Sequence, residues 1–220
     1  MVIAKKSINT IINIFNNNIV NKYKKSIDRD NLNILSNIDG MISLEEGKLL
    51  FNLAQAVNNN QNNCIVEIGS YRGRSTTALA LGSINGNKVP IFAVDPHENF
   101  TGILGGEFGG KDRGIFFQNM LDTSCFEIVR LINSSSEIIT PGWKKEVSLL
   151  WIDGDHSYEG VKRDYECWKP FLTEESIIVF DDSLDRSIGP VKLIEDLVTN
   201  EGFNIVHQVG KVTVIKHSNN

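Results

Sequence analysis

The sequence predicts an α/β fold with a mostly parallel sheet and an antiparallel pair of strands at one edge. From Cys64 onward, short apolar runs alternate with helical patterns. Each run is partly β-branched and bounded by turn residues, which is typical of strands buried on both faces. Two alternating runs around Gly210 close the chain and predict a hairpin. The apolar runs are 64–68, 90–94, 127–132, 147–152 and 176–180, and the closing runs are 203–208 and 212–216.

Helices are predicted from the spacing of apolar residues and from residues that favour helix ends. Ser43 and Glu46 form the pattern of a capping box, which predicts a helix beginning after Ser43. Pro190 follows Gly189 and suits the first turn of another helix. The other helical patterns cover 74–82, 112–121, 136–140 and 157–169.

Length and composition limit the classes of function. A chain of 220 residues with 41% hydrophobic and 22% charged residues fits one globular domain with a sheet core. The net charge is −5 and the chain has no Lys/Arg run, so nucleic acid is not an expected partner. No apolar stretch is long enough to span a membrane, and membranes are not expected partners either. The three widely spaced cysteines indicate reduced thiols and a cytoplasmic location.

The first forty residues differ in character from the rest. Residues 6–20 have the apolar spacing of an amphipathic helix, whose docking surface is either the domain itself or a second subunit, so a homodimer is expected. Residues 21–40 are polar and indicate a linker, which divides the chain into 1–40 and a domain over 41–220. The glycine-rich segment 100–114 indicates either a flexible surface loop or a lid over a ligand.

Polar residues follow the predicted strands. After the first strand, Glu67, Gly69 and Gly73 form a tight turn into a helix, where main-chain N–H groups can approach a ligand. Glu67 replaces the first glycine of the dinucleotide-binding pattern, which disfavours a pyrophosphate and suits an ammonium group. Asp95 ends the second strand, where an acid commonly accepts hydrogen bonds from ribose hydroxyls. Small polar residues, Ser134 and Ser135, follow the third strand and suit a base edge or a helix cap.

The same residues carry a resemblance to a known family. The glycine loop, Asp95, the segment IDGDHSYEGVKRD at 152–164 and the segment VFDD at 179–182 occur in the order found in class I S-adenosylmethionine-dependent methyltransferases. More narrowly, the chain resembles the macrocin-type group of small-molecule O-methyltransferases over about residues 43–217. The resemblance implies a Rossmann-like, seven-stranded sheet with helices on both faces. It also implies S-adenosylmethionine as cofactor and a small-molecule hydroxyl, on a sugar, natural product or catechol-like diol, as methyl acceptor.

The resemblance assigns roles to the remaining acids. The fourth and fifth strands are neighbours in this fold, so Asp153, Asp181 and Asp182 would share a divalent cation, expected to be Mg²⁺. His156 is a candidate general base because its ordinary pKa lies near neutral pH, and Asp155 is the competing candidate. Asp153 is expected to assist catalysis as well. The expected cofactor-binding residues are Glu67, Gly69, Ser70, Tyr71, Gly73, Ser75, Asp95, Ser134, Ser135 and Asp153.

Three other functions remain open from the sequence. The acids could be structural in a cation-independent methyltransferase. The chain could bind the cofactor without turnover. A nicotinamide-dependent oxidoreductase is the third alternative, and the replacement of the first loop glycine by Glu67 disfavours it.

Overall fold

The protein is described from a computed structural model that covers residues 32–218. Strands in this part of the chain belong to one large sheet and one short hairpin. In chain order they are β1 (Asn63–Ile68), β2 (Ile91–Val94), β3 (Phe100–Thr101), β4 (Glu107–Phe108), β5 (Val129–Ile132), β6 (Glu146–Ile152), β7 (Leu172–Phe180), β8 (Phe203–Val209) and β9 (Val212–His217).

The large sheet confirms the predicted fold class. Within residues 32–218 it has seven strands in the order β5-β2-β1-β6-β7-β9-β8. The first five of these are parallel, whereas β9 runs antiparallel to both β7 and β8. The carboxyl ends of β2, β1, β6 and β7 therefore lie side by side at one edge of the sheet, where ligands bind in open α/β sheets.

Helices cover both faces of the sheet, as predicted. Successive residues of β6 alternate between two apolar clusters: Leu149 and Trp151 pack into one, and Leu150 and Ile152 pack into the other. The helices that bury these clusters are α1 (Leu44–Ala56), α2 (Arg74–Asn85), α3 (Gly110–Asp122), α4 (Ser136–Ile139), α5 (Tyr158–Trp168) and α6 (Gly189–Asn200).

The predicted capping box begins α1. The Ser43 hydroxyl accepts a hydrogen bond from the Glu46 N–H at 3.2 Å, and the Glu46 carboxylate accepts one from the Ser43 N–H at 2.6 Å. Because both helix-end donors are satisfied, this end of α1 is held in one position. It lies next to the turn between β8 and β9, which becomes important for the site described below.

The glycine-rich segment differs from the prediction. Its first part forms the β3–β4 hairpin, in which the rings of Phe100 and Phe108 lie 6.2 Å apart, and α3 begins at Gly110 rather than at residue 112. The Asp112 carboxylate accepts a hydrogen bond from the Gly109 N–H at 2.9 Å and so fixes the earlier helix start. The role of the segment as a lid stays a prediction.

The described part of the predicted linker packs against the domain. Ile34–Asn37 form a 3₁₀ turn, and Leu35 has no solvent exposure. The predicted helix over residues 6–20 lies outside the described residues, and the domain boundary at residue 40 stays a prediction. In the described range 32–218, no helix has both the length and the apolar character needed to cross a membrane.

Candidate active site

A turn rich in glycine connects β1 to α2 at the carboxyl edge of the sheet. Gly69 has a φ of +80°, and a Cβ at this position would lie 2.1 Å from the Asp153 carbonyl oxygen. Gly73 has a φ of +88° immediately before α2 begins. Both positions require glycine, the first because two backbone segments approach closely and the second because of its left-handed conformation.

Glu67 holds this turn from behind. Its carboxylate has no solvent exposure and accepts hydrogen bonds from the hydroxyls of Ser75 and Thr76 in the first turn of α2. Burial raises the pKa of Glu67 to about 7, the two hydroxyl hydrogen bonds oppose this rise, and Asp95 adds to it.

Two of the predicted cofactor-binding residues, Glu67 and Gly73, are not among the described residues that line the cavity at this edge, and their role in cofactor binding stays a prediction. The Glu67 carboxylate is buried behind the turn, and its hydrogen bonds to α2 hold the turn in place. Gly73 faces the side chains of Phe116 and Met120 on α3. The partners of the Glu67 carboxylate are hydroxyls eight and nine residues later, which the sequence pattern did not indicate.

Asp95 organises the turn from the end of β2. One carboxylate oxygen accepts hydrogen bonds from the N–H groups of Ser70 at 2.8 Å and Tyr71 at 2.9 Å. The other oxygen accepts a hydrogen bond from the His97 N–H at 2.8 Å. The Ser70 hydroxyl also donates to the first oxygen, at 3.3 Å. A carboxylate oxygen has about two acceptor positions, so the second oxygen of Asp95, whose side chain is 16% exposed, can still accept a hydrogen bond from a ligand.

A cavity of about 580 Å³ lies over this edge of the sheet. Its volume falls in the range of sites for cofactors and small molecules, which are roughly 300–1,000 Å³. The sequence-predicted residues that line it are Gly69, Ser70, Tyr71, Ser75, Asp95, Ser134, Ser135, Asp153, Asp155, His156, Asp181 and Asp182.

Three predicted acids meet an imidazole at one end of the cavity. His156 Nε2 lies 3.4 Å from Asp182 Oδ2, 3.6 Å from Asp153 Oδ1 and 4.0 Å from Asp181 Oδ2. Because β7 ends at Phe180 and Asp182 has a φ of +44°, the two consecutive acids after β7 turn toward the same place. We call Asp153, Asp181, Asp182 and His156 the acid cluster.

Burial sets the protonation of the acid cluster. It raises the pKa of Asp153 well above its ordinary value, and the charge of Asp181 raises it further. Burial also raises the pKa of Asp181 to about 6, against the effect of the nearby Lys211 ammonium. The pKa of His156 is lowered because burial outweighs the opposing effect of Asp182, so its imidazole is neutral at physiological pH.

Lys211, which sequence reasoning missed, inserts its ammonium into the acid cluster. Its Nζ donates to Asp181 Oδ2 at 2.7 Å and to Asp182 Oδ2 at 3.1 Å. Burial acts to lower the pKa of Lys211, but the neighbouring carboxylates outweigh it and the pKa is raised. The predicted hairpin around Gly210 could have indicated this position of Lys211. Because β9 pairs with β7 in the antiparallel direction, the turn before β9 lies close to the end of β7.

Asp164 is a second cavity residue that the sequence did not single out. It lies on α5 between apolar positions, is 7% exposed, and has a pKa raised to about 6 by burial, with a Ser136 hydrogen bond acting in the opposite direction.

Asp155 is engaged in helix capping. Its carboxylate accepts hydrogen bonds from the Ser157 N–H at 2.9 Å and the Ser157 hydroxyl at 3.0 Å. The Ser157 hydroxyl in turn accepts from the Gly160 N–H at 3.0 Å in the first turn of α5. These bonds leave Asp155 less suited than His156 to accept a proton.

The acid cluster fits a divalent cation. His156 Nε2 and Asp181 Oδ1 are buried and have no hydrogen-bond partner among residues 32–218. One ligand atom each from Asp153, His156 and Asp181 can be chosen so that all lie within 4.8 Å of one another. Buried polar atoms without a partner need an explanation, and an ion is one. Carboxylate oxygens suit Mg²⁺ and Mn²⁺, and a neutral imidazole is a ligand for transition-metal ions.

Known proteins resemble this chain in sequence and in fold. The family described as "Methyltransferase domain" matches residues 66–183. An uncharacterized protein of Sinorhizobium fredii (strain NBRC 101917 / NGR234), y4gI, is 31% identical over 136 residues, which are 57% of this chain but only 14% of that protein.

Solved structures with 14–16% identity share the fold. The O-methyltransferase from Bacillus cereus, in complex with SAH, has a TM-score of 0.61 over 88% of this chain and 93% of its own. TomG from Streptomyces achromogenes, an O-methyltransferase in complex with SAM, has a TM-score of 0.57 over 81% and 82%. The calicheamicin methyltransferase CalS11 has a TM-score of 0.57 over 78% and 77%.

Proposed function

Because the chain belongs to the family of methyltransferase domains, we propose that it is an S-adenosylmethionine-dependent O-methyltransferase. A single observation carries this proposal: one cavity joins the glycine turn and Asp95 to the acid cluster with its neutral His156. A nucleoside cofactor at one end would therefore meet an acceptor hydroxyl at the other.

The residues at the first end suit a nucleoside. Asp95 would accept hydrogen bonds from ribose hydroxyls, while the turn that it organises presents Ser70 and Tyr71 to the cofactor. When bound, S-adenosylmethionine supplies a methyl group on a positively charged sulfur. Glu67 fills the space behind the turn, which argues against the dinucleotide arrangement and so against an oxidoreductase.

The residues at the second end suit the deprotonation of a hydroxyl. Asp153, Asp181 and Asp182 would hold a divalent cation, expected to be Mg²⁺, and such a cation lowers the pKa of a hydroxyl bound to it. His156 would take the hydroxyl proton on Nε2, which is free to accept it because burial keeps the imidazole neutral. The acceptor oxygen would then take the methyl group from the sulfur of bound S-adenosylmethionine, and the broken C–S bond would leave S-adenosylhomocysteine.

A vicinal diol or catechol is the proposed acceptor class. Two adjacent oxygens can bind one cation together, and this positions one of them for transfer. The likeness to CalS11, a TDP-rhamnose 3'-O-methyltransferase of calicheamicin biosynthesis, agrees with a sugar or natural product. Exposed apolar side chains of Met41, Phe100, Ile103 and Leu104 also line the cavity and could contact the apolar body of such a molecule.

The proposal is tested by following labelled methyl groups from S-adenosylmethionine to a panel of catechols and sugar nucleotides. We expect transfer that EDTA abolishes and Mg²⁺ or Mn²⁺ restores. Asp181→Asn should lower kcat roughly 100-fold or more, because a ligand to the cation is lost. Asp185→Asn, which changes an exposed acid four residues along, should have little effect.

The results separate the alternatives. Transfer that is indifferent to EDTA and to Asp181→Asn would indicate a cation-independent methyltransferase. S-adenosylhomocysteine binding without transfer to any acceptor in the panel would favour a cofactor-binding protein. Failure to bind S-adenosylhomocysteine at all would refute the proposed function.

A further inference from the structure

Lys211 is held in place by contacts to two separate elements. Its N–H donates to Glu46 Oε1 at the start of α1 at 2.9 Å. Its carbonyl oxygen accepts hydrogen bonds from the N–H and the hydroxyl of Ser183, at 2.9 and 2.8 Å, just after the acids that follow β7. The backbone of Lys211 is therefore fixed on both sides, and its side chain starts from a defined point beside the acid cluster.

The acid cluster favours a positive charge beside it. The carboxylates of Asp153, Asp181 and Asp182 all lie within 4.0 Å of His156 Nε2, and Asp181 is 1% exposed. Where two of these groups are ionised this close together in a buried place, their charges repel. The Lys211 ammonium contacts two of the three acids and offsets this repulsion.

A divalent cation would use the same oxygen atoms. Asp181 Oδ2 and Asp182 Oδ2 are the atoms to which Lys211 Nζ donates, and both acids are proposed ligands. Two cations that share a carboxylate oxygen at ligand distances repel each other. The Lys211 side chain is 27% exposed and has four rotatable bonds, so its ammonium can turn away toward solvent.

We propose that Lys211 is the built-in counter-cation of the acid cluster and that it competes with a divalent cation for Asp181 and Asp182. This inference rests on the proposed function, in which these acids bind the cation. It assigns to Lys211 a positioning role: without a divalent cation the residue keeps the acid cluster assembled, and it sets a lower affinity for that cation than the acids alone would give.

Calorimetric titration of the full-length protein with Mn²⁺ and with Mg²⁺ tests the competition. In Lys211→Met, which removes the ammonium and keeps a side chain of similar length, the cation should bind at least about tenfold more tightly than in wild type. Lys216→Met is the matched control. Lys216 on β9 forms an ion pair with Glu175 on β7, with 2.6 Å between Nζ and the carboxylate, and the Lys216 side chain is 26% exposed. Loss of the Lys216 ammonium should therefore leave the cation affinity unchanged.

Thermal unfolding supplies a second readout. Without added cation, Lys211→Met should unfold at a lower temperature than wild type because the acids repel one another. Mn²⁺ should raise its Tm by more than it raises that of wild type, since tighter binding stabilises the folded state more. Lys211→Gln serves in place of Lys211→Met if the latter does not fold.

Cation binding to the variant that is no tighter than binding to wild type, including no binding by either protein, overturns the inference. The proposed function is judged separately, by measurements on the wild-type protein. Cation-dependent methyl transfer by wild type together with unchanged affinity in Lys211→Met would reject only the role of Lys211. Failure of wild type to bind S-adenosylhomocysteine would reject the proposed function whatever the titration of Lys211→Met gives.

Discussion

Glu67 carries a buried carboxylic acid whose pKa of about 7 lies above its ordinary value of 4.5. A group with a raised pKa favours the folded state at pH values below its ordinary pKa, and this contribution is lost as the pH rises to the raised value. For Glu67 the loss occurs between about pH 4.5 and pH 7.

Glu67→Gln should therefore gain stability relative to wild type as the pH rises. We expect the difference in free energy of unfolding to favour the variant by about 2 kcal/mol more at pH 8 than at pH 5. Urea unfolding of both proteins at the two pH values measures it. A difference that does not change with pH would contradict the raised pKa.

His156 could act as the general base or as a ligand to the cation, and the two roles predict different results for its replacement by alanine. As a general base it is needed for proton removal, so His156→Ala should lower kcat roughly 100-fold or more. The affinity for Mn²⁺ should then change by less than about threefold, because the carboxylates remain. Kinetics combined with calorimetry decides the matter. Loss of Mn²⁺ binding in the variant would make His156 a ligand instead of the base.

At the scale of elements, the turn between β1 and α2 tolerates no side chain at Gly69 without strain. In Gly69→Ala the methyl group would meet the Asp153 carbonyl oxygen in a backbone conformation that alanine rarely adopts. We expect a loss of about 2–4 kcal/mol in unfolding free energy and weaker binding of S-adenosylhomocysteine.

Gly114→Ala is the control for that substitution. Gly114 lies inside α3, and apart from its chain neighbours and the backbone of its own helix, no described atom lies within 4 Å of the Cβ position. Because alanine favours helices more than glycine does, the free energy of unfolding should stay equal or rise by about 0.5–1 kcal/mol. A similar loss in both variants would show that the contact at Asp153 is not the cause.

The sequence predicted regular elements where local pattern decides the structure. The start of β6 at Glu146 lies within one residue of its predicted start at 147. The prediction was close because β6 is buried on both faces and so has a continuous apolar run. β7 begins at Leu172 rather than at 176 because Leu172 pairs with Val147 of β6. The exposed polar residues after Leu172 lie in a register shift, and regular pairing resumes at Ile177, so the apolar pattern showed only the later part of the strand. The β3–β4 hairpin was missed because its strands have two residues each and depend on ring contacts across it.

At the scale of the whole molecule, the sheet order brings together residues that are far apart in the chain. Asp95, Asp153 and Asp181 were predicted as site residues because each follows a strand whose carboxyl end lies at the same edge. Lys211 and the buried partners of Glu67 could not be predicted in this way, since their contacts depend on how the closing hairpin and α2 pack. The homodimer stays a prediction.

The arrangement of the cavity is tested most directly by a crystal structure of the protein with S-adenosylhomocysteine and Mn²⁺. We expect the ribose at Asp95, the sulfur directed toward the acid cluster, and Mn²⁺ bound by Asp153 and Asp181 with Lys211 Nζ turned away from them. Electron density that places S-adenosylhomocysteine outside this cavity, or that directs its sulfur away from His156, would contradict the proposed site.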